Sequence, residues 1–206
     1  MRSAIWYFDF VSPFAYIGLH RLKDLPPDLS IEYRPVLFAG ILNHWGQKGP
    51  AELPTKRRYT YRWSRWWAHS LGLPFRYPAA HPFNPLHHLR LAIACGSKPE
   101  AIHAIFDEIW TTGADASSPE RFAALSKKLG AGKPDQNAKD ALRKNTEAAI
   151  ARGVFGVPTF EVDGELFWGA DSMEFLKAFL QDASVVRNPE MQRLDALPAA
   201  ATRRTS

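Results

Sequence analysis

The chain has 206 residues, 46% hydrophobic and 23% charged, which is enough apolar material for a packed core and excludes a disordered chain. Lys and Arg number 26 against 21 Asp and Glu, a net charge of +5 that suits an anionic ligand without demanding a polymer. The single cysteine, Cys95, excludes an intramolecular disulfide, a two-thiol redox centre and a cysteine-built zinc site.

No apolar run approaches the ~20 residues of a membrane helix. The N-terminus passes straight into a strand pattern without a signal-like apolar region, so a cytoplasmic protein is expected. Ile5–Phe10 is almost continuously apolar and aromatic, as in a strand buried on both faces. It stops at Val11-Ser12-Pro13, where Ser12 is a natural N-cap and Pro13 a natural first helical residue. A helix through Tyr16, Leu19, His20 and Leu22 ends before Pro26-Pro27, and Ile31–Val36 reads as a second strand. Strand, helix, strand at this length implies a parallel pair.

From about residue 40 to 152 the pattern turns helical, and the spacing predicts helices over 54–71, 84–95, 98–111, 118–128 and 135–152. Strand patterning returns at Pro158–Val162, with Asp163-Gly164 as a hairpin turn and Leu166–Trp168 as the return. A last amphipathic helix is expected over Asp171–Leu180, with Asp171 and Glu174 in capping-box register. Residues 184–206 read as a mobile tail. The expected organisation is one sheet domain made of 1–39 and 153–183, with an all-α insertion domain over 40–152.

The chemistry gathers at Ser12. A helix N-terminus offers unpaired N–H groups and the positive end of the dipole, which favour a negative charge. Locally, Ser12 is also readable as a cap and nothing more, Val157-Pro158 as a turn opening a strand, and Asp171 as a simple N-cap.

Three segments in order carry a resemblance. They are Asp9-Phe10-Val11-Ser12-Pro13-Phe14-Ala15-Tyr16, then Val154-Phe155-Gly156-Val157-Pro158-Thr159, then Trp168-Gly169-Ala170-Asp171. Together they resemble the 2-hydroxychromene-2-carboxylate isomerase family, in the kappa-class glutathione transferase and DsbA-like branch of the thioredoxin fold. The resemblance runs to about Leu180. It implies an α/β, thioredoxin-like fold with a large all-α insertion. Ser12 and Ala15 then hold the places of two cysteines, so the chain exchanges no disulfides by itself.

The resemblance also implies glutathione as cofactor, its thiolate accepting a hydrogen bond from Ser12. It implies a cis bond before Pro158, with the Val157 main chain holding the cysteinyl part of the peptide. Trp168, Gly169, Ala170, Asp171 and Ser172 would then hold the γ-glutamyl end. Phe14, Asn43, Trp45, Gln47, Lys48 and Phe83 are candidates for the substrate pocket. The implied activity interconverts 2-hydroxychromene-2-carboxylate and trans-o-hydroxybenzylidenepyruvate, or a related aromatic pair, by reversible thiol addition. A kappa-like glutathione transferase and a non-catalytic thioredoxin-fold binding protein are the alternatives. A homodimer is compatible with the family; neither nucleic acid nor membrane is expected as a partner.

Two further patterns need weighing. Lys56–Trp67 interleaves five basic residues with aromatics, which is a nucleic-acid-like pattern. Helical spacing of Tyr59, Trp63, Trp66 and Trp67 points instead to a core-facing aromatic side with basic residues outward, with one arginine reaching a substrate carboxylate as the lesser alternative. His81, His87 and His88 lie close in sequence, yet adjacent His87 and His88 point to different sides of a helix, so no metal is expected. Cys95 follows an apolar run and is expected to be a buried, inert thiol.

Overall fold

A computed structural model describes residues 2–132 and 134–201. Four strands, β1 (Ser3–Phe8), β2 (Ser30–Pro35), β3 (Thr159–Val162) and β4 (Glu165–Trp168), form one sheet in the order β2-β1-β3-β4. β1 and β2 are parallel, Ser3 facing Ser30 and Phe8 facing Pro35. β3 runs antiparallel to β1, with Tyr7 opposite Thr159, and β4 antiparallel to β3. Asp163 and Gly164 take positive φ values of 50° and 85°, the geometry a two-residue hairpin turn requires.

Helix α1 (Pro13–Arg21) crosses from β1 to β2. Between β2 and β3 lie α2 (Phe38–His44), α3 (Pro54–Ser70), α4 (Leu86–Ala94), α5 (Pro99–Trp110), α6 (Pro119–Lys128) and α7 (Gln136–Ala151), with no strand among the described residues there. Helices α8 (Met173–Gln181) and α9 (Pro189–Asp195) follow the sheet. No helix among the described residues is long and apolar enough to cross a membrane.

β1 is buried on both faces, and its side-chain alternation divides the core. Trp6 and Phe8 face one side, where they join Phe10, Tyr16, Phe106, Trp110 and Phe179. Tyr7 faces the other, with Val36, Ile41, Ala149, Val154 and Val157 under α2 and α7. The larger cluster is shared by the sheet, α1, α4, α5 and α8, so sheet and intervening helices pack as one body of side chains.

Several expectations need correction. β1 ends at Phe8, and Asp9 and Phe10 already belong to the turn into α1. Helix α2 was absent from the periodicity: seven residues are too short to show one. The last core helix begins at Met173, not Asp171. A 3₁₀ turn over Ala170–Ser172 precedes it, and Ser172 stands at its N-cap position without a side-chain cap. Glu174 reaches no cap either; Arg21 of α1 pairs with it at 2.9 Å.

The start of the expected tail is docked. Arg187 pairs with Glu165, donates to the Asp163 carbonyl at 2.7 Å and lies over the Phe179 ring. α9 follows, and residues 202–206 of that tail lie outside the described residues. Cys95 is only half-buried, at the C-terminal end of α4, though burial still pushes its thiol pKa up.

The largest departure is α3. Its buried positions are the small residues Ser64 and Ala68, with Ser64 Oγ satisfied by Tyr77 Oη at 2.8 Å. Small side chains let the helix approach its neighbours closely. The expected core-facing aromatic side therefore splits: Trp63 and Trp67 are half-buried against Phe14, while the rings of Tyr59 and Trp66 are left 68% and 63% exposed.

Candidate active site

The three motif segments meet at the C-terminal end of β1. Ser12 N-caps α1 as its sequence suggests: its Oγ accepts from Ala15 N–H at 3.2 Å, and Pro13 occupies the first helical turn. That bond uses an oxygen lone pair. The hydroxyl hydrogen points toward Val157 C=O at 3.5 Å, the outer limit of a hydrogen bond. Cap and donor are therefore separate capacities of one side chain. Pro13 has no N–H, and Phe14 N–H meets no protein acceptor among the described residues. Positive potential from the start of α1 is thus left at a buried hydroxyl that is 6% exposed.

Opposite Ser12 runs the Val154–Pro158 segment. The Val157–Pro158 bond is cis, as expected. The Val157 side chain is anchored in the smaller core cluster, while its N–H donates to nothing among the described residues. An anchored side chain beneath an unpaired main chain suits an extended peptide ligand.

The third segment is tied to the second by Gly169 N–H, which donates to Pro158 C=O at 2.8 Å. Gly169 sits at φ +94°, and a Cβ there would lie 2.2 Å from Asp171 Oδ1. The Asp171 carboxylate therefore folds over Gly169, and Ser172 Oγ closes the turn on the Gly169 carbonyl at 2.8 Å. Ala170 is buried, and Trp168 is 55% exposed. α1 packs directly on this assembly: a Cβ at Gly18 would meet Pro158 and Ala170 at ordinary contact distance.

Four residues that sequence reasoning missed hold or extend the site. Asp9 is fully buried; its Oδ1 accepts from Val11 N–H at 3.0 Å and its Oδ2 from Phe38 N–H at 2.8 Å. It braces the Ser12 turn against the start of α2. Burial pushes its carboxyl up to about 7, against the lowering pull of those two N–H groups. Its signal was an acid closing an apolar strand run. Arg21 donates to Ala170 C=O at 3.1 Å while paired with Glu174 and Asp24, clamping α1 to the third segment. Phe155 packs on Trp168 at 5.1 Å between ring centroids, and both rings are exposed beside Val157. His81 contacts Val11 C=O through Nε2 at 2.8 Å and Tyr61 Oη through Nδ1 at 2.7 Å. Burial lowers its pKa, so it supports the Ser12 turn as a neutral ring.

The pocket candidates divide. Trp45 donates Nε1–H to Val154 C=O at 2.9 Å, which brings it to the Val157 segment. Phe14 packs on Trp63 and Trp67, with centroids 5.1 and 6.4 Å away. Phe83 is buried against the rings of His81 and His88 and presents little surface. Asn43, Gln47 and Lys48 are exposed, and no hydrogen bond from their side chains reaches Ser12 or Val157 among the described residues. His87 is exposed and His88 buried, on different sides of α4, with the His88 pKa lowered by burial to about 4. No group of three or more metal-ligating side chains is assembled among the described residues.

Residues 5–181 match the model of the DSBA-like thioredoxin domain. A 2-hydroxychromene-2-carboxylate isomerase of Pseudomonas putida is 30% identical over 84% of this chain and 91% of its own. Human glutathione S-transferase kappa 1 is 26% identical over 87% of this chain and 91% of its own. The solved structure of a 2-hydroxychromene-2-carboxylate isomerase superposes with a TM-score of 0.75 at 26% identity, covering 92% of this chain and 98% of that one. With the sheet order, the Ser12 cap and the Val157–Pro158 segment in place, the chain belongs to the DsbA-like thioredoxin family, in the branch that holds the 2-hydroxychromene-2-carboxylate isomerases and kappa-class glutathione transferases.

Proposed function

We propose that the protein is a glutathione-dependent isomerase that interconverts 2-hydroxychromene-2-carboxylate and trans-o-hydroxybenzylidenepyruvate, or a related aromatic pair. The observation that carries this reading is the division of labour at Ser12. Its lone pair caps α1, while its hydrogen has only a carbonyl at 3.5 Å and is available to a thiolate. With a serine here and no second thiol at Ala15, disulfide exchange is replaced by the binding of an outside thiol.

The residues present fit glutathione. Val157 offers an unpaired N–H beside the hydroxyl, matching the main chain of a cysteinyl residue. The Asp171 carboxylate, folded over Gly169 in the turn from Trp168 to Ser172, would hold the γ-glutamyl ammonium group. Bound glutathione supplies a thiol whose reversible addition to an unsaturated carbon lets a double bond become rotatable. Ser12 and the Phe14 N–H favour the anionic sulfur, and Arg21 and Asp9 keep the turns in register. Phe14, Trp45, Phe155 and Trp168 provide apolar ring surface for an aromatic substrate. The likeness to the 2-hydroxychromene-2-carboxylate isomerase of Pseudomonas putida supports this substrate class, and a role in aromatic-compound catabolism would follow from it.

The kappa transferase relative favours a second reading, in which the thiol stays on the electrophile. Incubation with glutathione and 2-hydroxychromene-2-carboxylate separates the two. Free isomer with glutathione fully regenerated supports the isomerase; a stable glutathione conjugate supports the transferase. Neither product, with no glutathione binding by calorimetry, would leave the binding-protein alternative.

A further inference from the structure

Helix α3 carries Lys56, Arg57, Arg58, Arg62 and Arg65 and no acidic residue, and these five cations equal the whole net charge of the chain. None of them joins an ion pair among the described residues, whereas arginines elsewhere are paired repeatedly. Arg58, Arg62 and Arg65 are exposed at i, i+4 and i+7, one stripe of the helix. Tyr59, Trp63 and Trp66 repeat that spacing one residue on, forming an aromatic stripe beside it. Its outer rings, Tyr59 and Trp66, are among the most exposed large side chains of the protein.

This double stripe leads to the candidate site by two connections. Trp63 and Trp67 pack on Phe14, two residues past Ser12. Tyr61 holds His81, which holds the Val11 carbonyl. Both connections place α3 directly against the Ser12 turn.

We propose that α3 is the collecting surface of the active site, and that it selects small anionic aromatic molecules. Guanidinium groups pair with a carboxylate, and the adjoining rings stack on an aromatic plane, so one helix face matches both halves of an aromatic acid. The uncompensated positive field also speeds the encounter of anions. The site it serves is the one in the proposed function, but the surface is testable without turnover.

The probe is 1-naphthoate, with neutral 1-naphthylmethanol as control, followed by stopped-flow quenching of tryptophan fluorescence in the absence of glutathione. In the R58Q/R62Q/R65Q variant at 20 mM ionic strength, naphthoate association should slow about tenfold relative to wild type. The difference should shrink to under about twofold at 0.5 M salt, where the Debye length falls to a few ångströms. Association of the neutral alcohol should be unchanged. These arginines are exposed and unpaired, so the variant is expected to fold, with an unchanged circular dichroism spectrum and melting temperature. Naphthoate that fails to bind, or binds at the same rate to both proteins, overturns the proposal. So does retention of wild type on single-stranded DNA or phosphatidylserine vesicles at 150 mM salt with naphthoate indifferent to the arginines. A catalytic failure of Ser12 variants leaves this assay untouched, so the two readings fail separately.

Discussion

The turn around Ser12 and the helix α3 are both rich in aromatic residues, yet they use them in opposite ways. Around Ser12 the main chain is held by hydrogen bonds: Ala15 N–H to the Ser12 hydroxyl, Val11 and Phe38 N–H to the Asp9 carboxylate, and Gly169 N–H to the Pro158 carbonyl. Its neighbouring rings Trp6, Phe8, Phe10 and Trp110 are wholly buried. On α3 the small residues Ser64 and Ala68 are buried, Trp63 and Trp67 are half-buried against Phe14, and the rings of Tyr59 and Trp66 face water. Backbone precision is what a bound peptide and thiolate need; exposed charge and ring surface are what capture needs. The two regions divide positioning from collection.

Replacing a ring in each region breaks the comparison most strongly. Trp110→Ala removes a buried indole whose Nε1–H holds the Phe10 carbonyl at 2.9 Å, and should cost about 3–5 kcal/mol in denaturant unfolding. Trp66→Ala on α3 should change stability by less than about 0.5 kcal/mol. Similar losses for both would mean that the Trp66 ring is part of the core after all.

Asp9 sharpens the positioning half through pH. Its folded carboxyl holds a proton up to about 7, above the ordinary carboxylate range near 4, because burial disfavours the charge. The folded state therefore binds the extra proton. Asp9 contributes stability that is fully present below about pH 4 and is lost as pH rises through about 7, on the order of 4 kcal/mol across that window. Asp9→Asn should flatten this part of the stability–pH curve. An identical slope in the variant would contradict a buried, desolvated Asp9.

Gly169→Ala carries a smaller effect on the same site. The positive φ and the Asp171 carboxylate both oppose a Cβ, so a loss of about 1–3 kcal/mol is expected. Weaker glutathione binding by calorimetry should accompany it. Unchanged affinity would separate the Gly169 turn from the ligand.

The sequence made the site's anchor points legible because each needs a particular residue. A cap needs a hydroxyl or carboxylate, a first turn accepts Pro13, and a two-residue hairpin needs Asp163-Gly164. The parallel β1–β2 pair and the β3–β4 hairpin followed from strand patterning at both ends, whereas their order in the sheet did not. Other features depend on the assembled structure. Helical spacing puts Tyr59, Trp63 and Trp66 on one stripe but does not say which side the fold covers. Asp171 has a cap-like position, yet the 3₁₀ turn and the Arg21–Glu174 pair shift the helix start to Met173. Asp9 shows its role only when Phe38, 29 residues away, arrives as its second donor.

Ser12 decides the central claim most directly. Ser12→Ala removes the hydrogen that a thiolate would accept but leaves α1 and the Val157 main chain in place. The measurement is the pH titration of bound glutathione by thiolate absorbance, with turnover of 2-hydroxychromene-2-carboxylate recorded on the same samples. The expected result is a raised thiol pKa and a turnover lower by about ten- to a hundredfold, the value of one hydrogen bond to a charged group at roughly 1.5–3 kcal/mol, with glutathione affinity nearly unchanged. A variant with the wild-type titration and full turnover would make Ser12 a helix cap alone and contradict the mechanism.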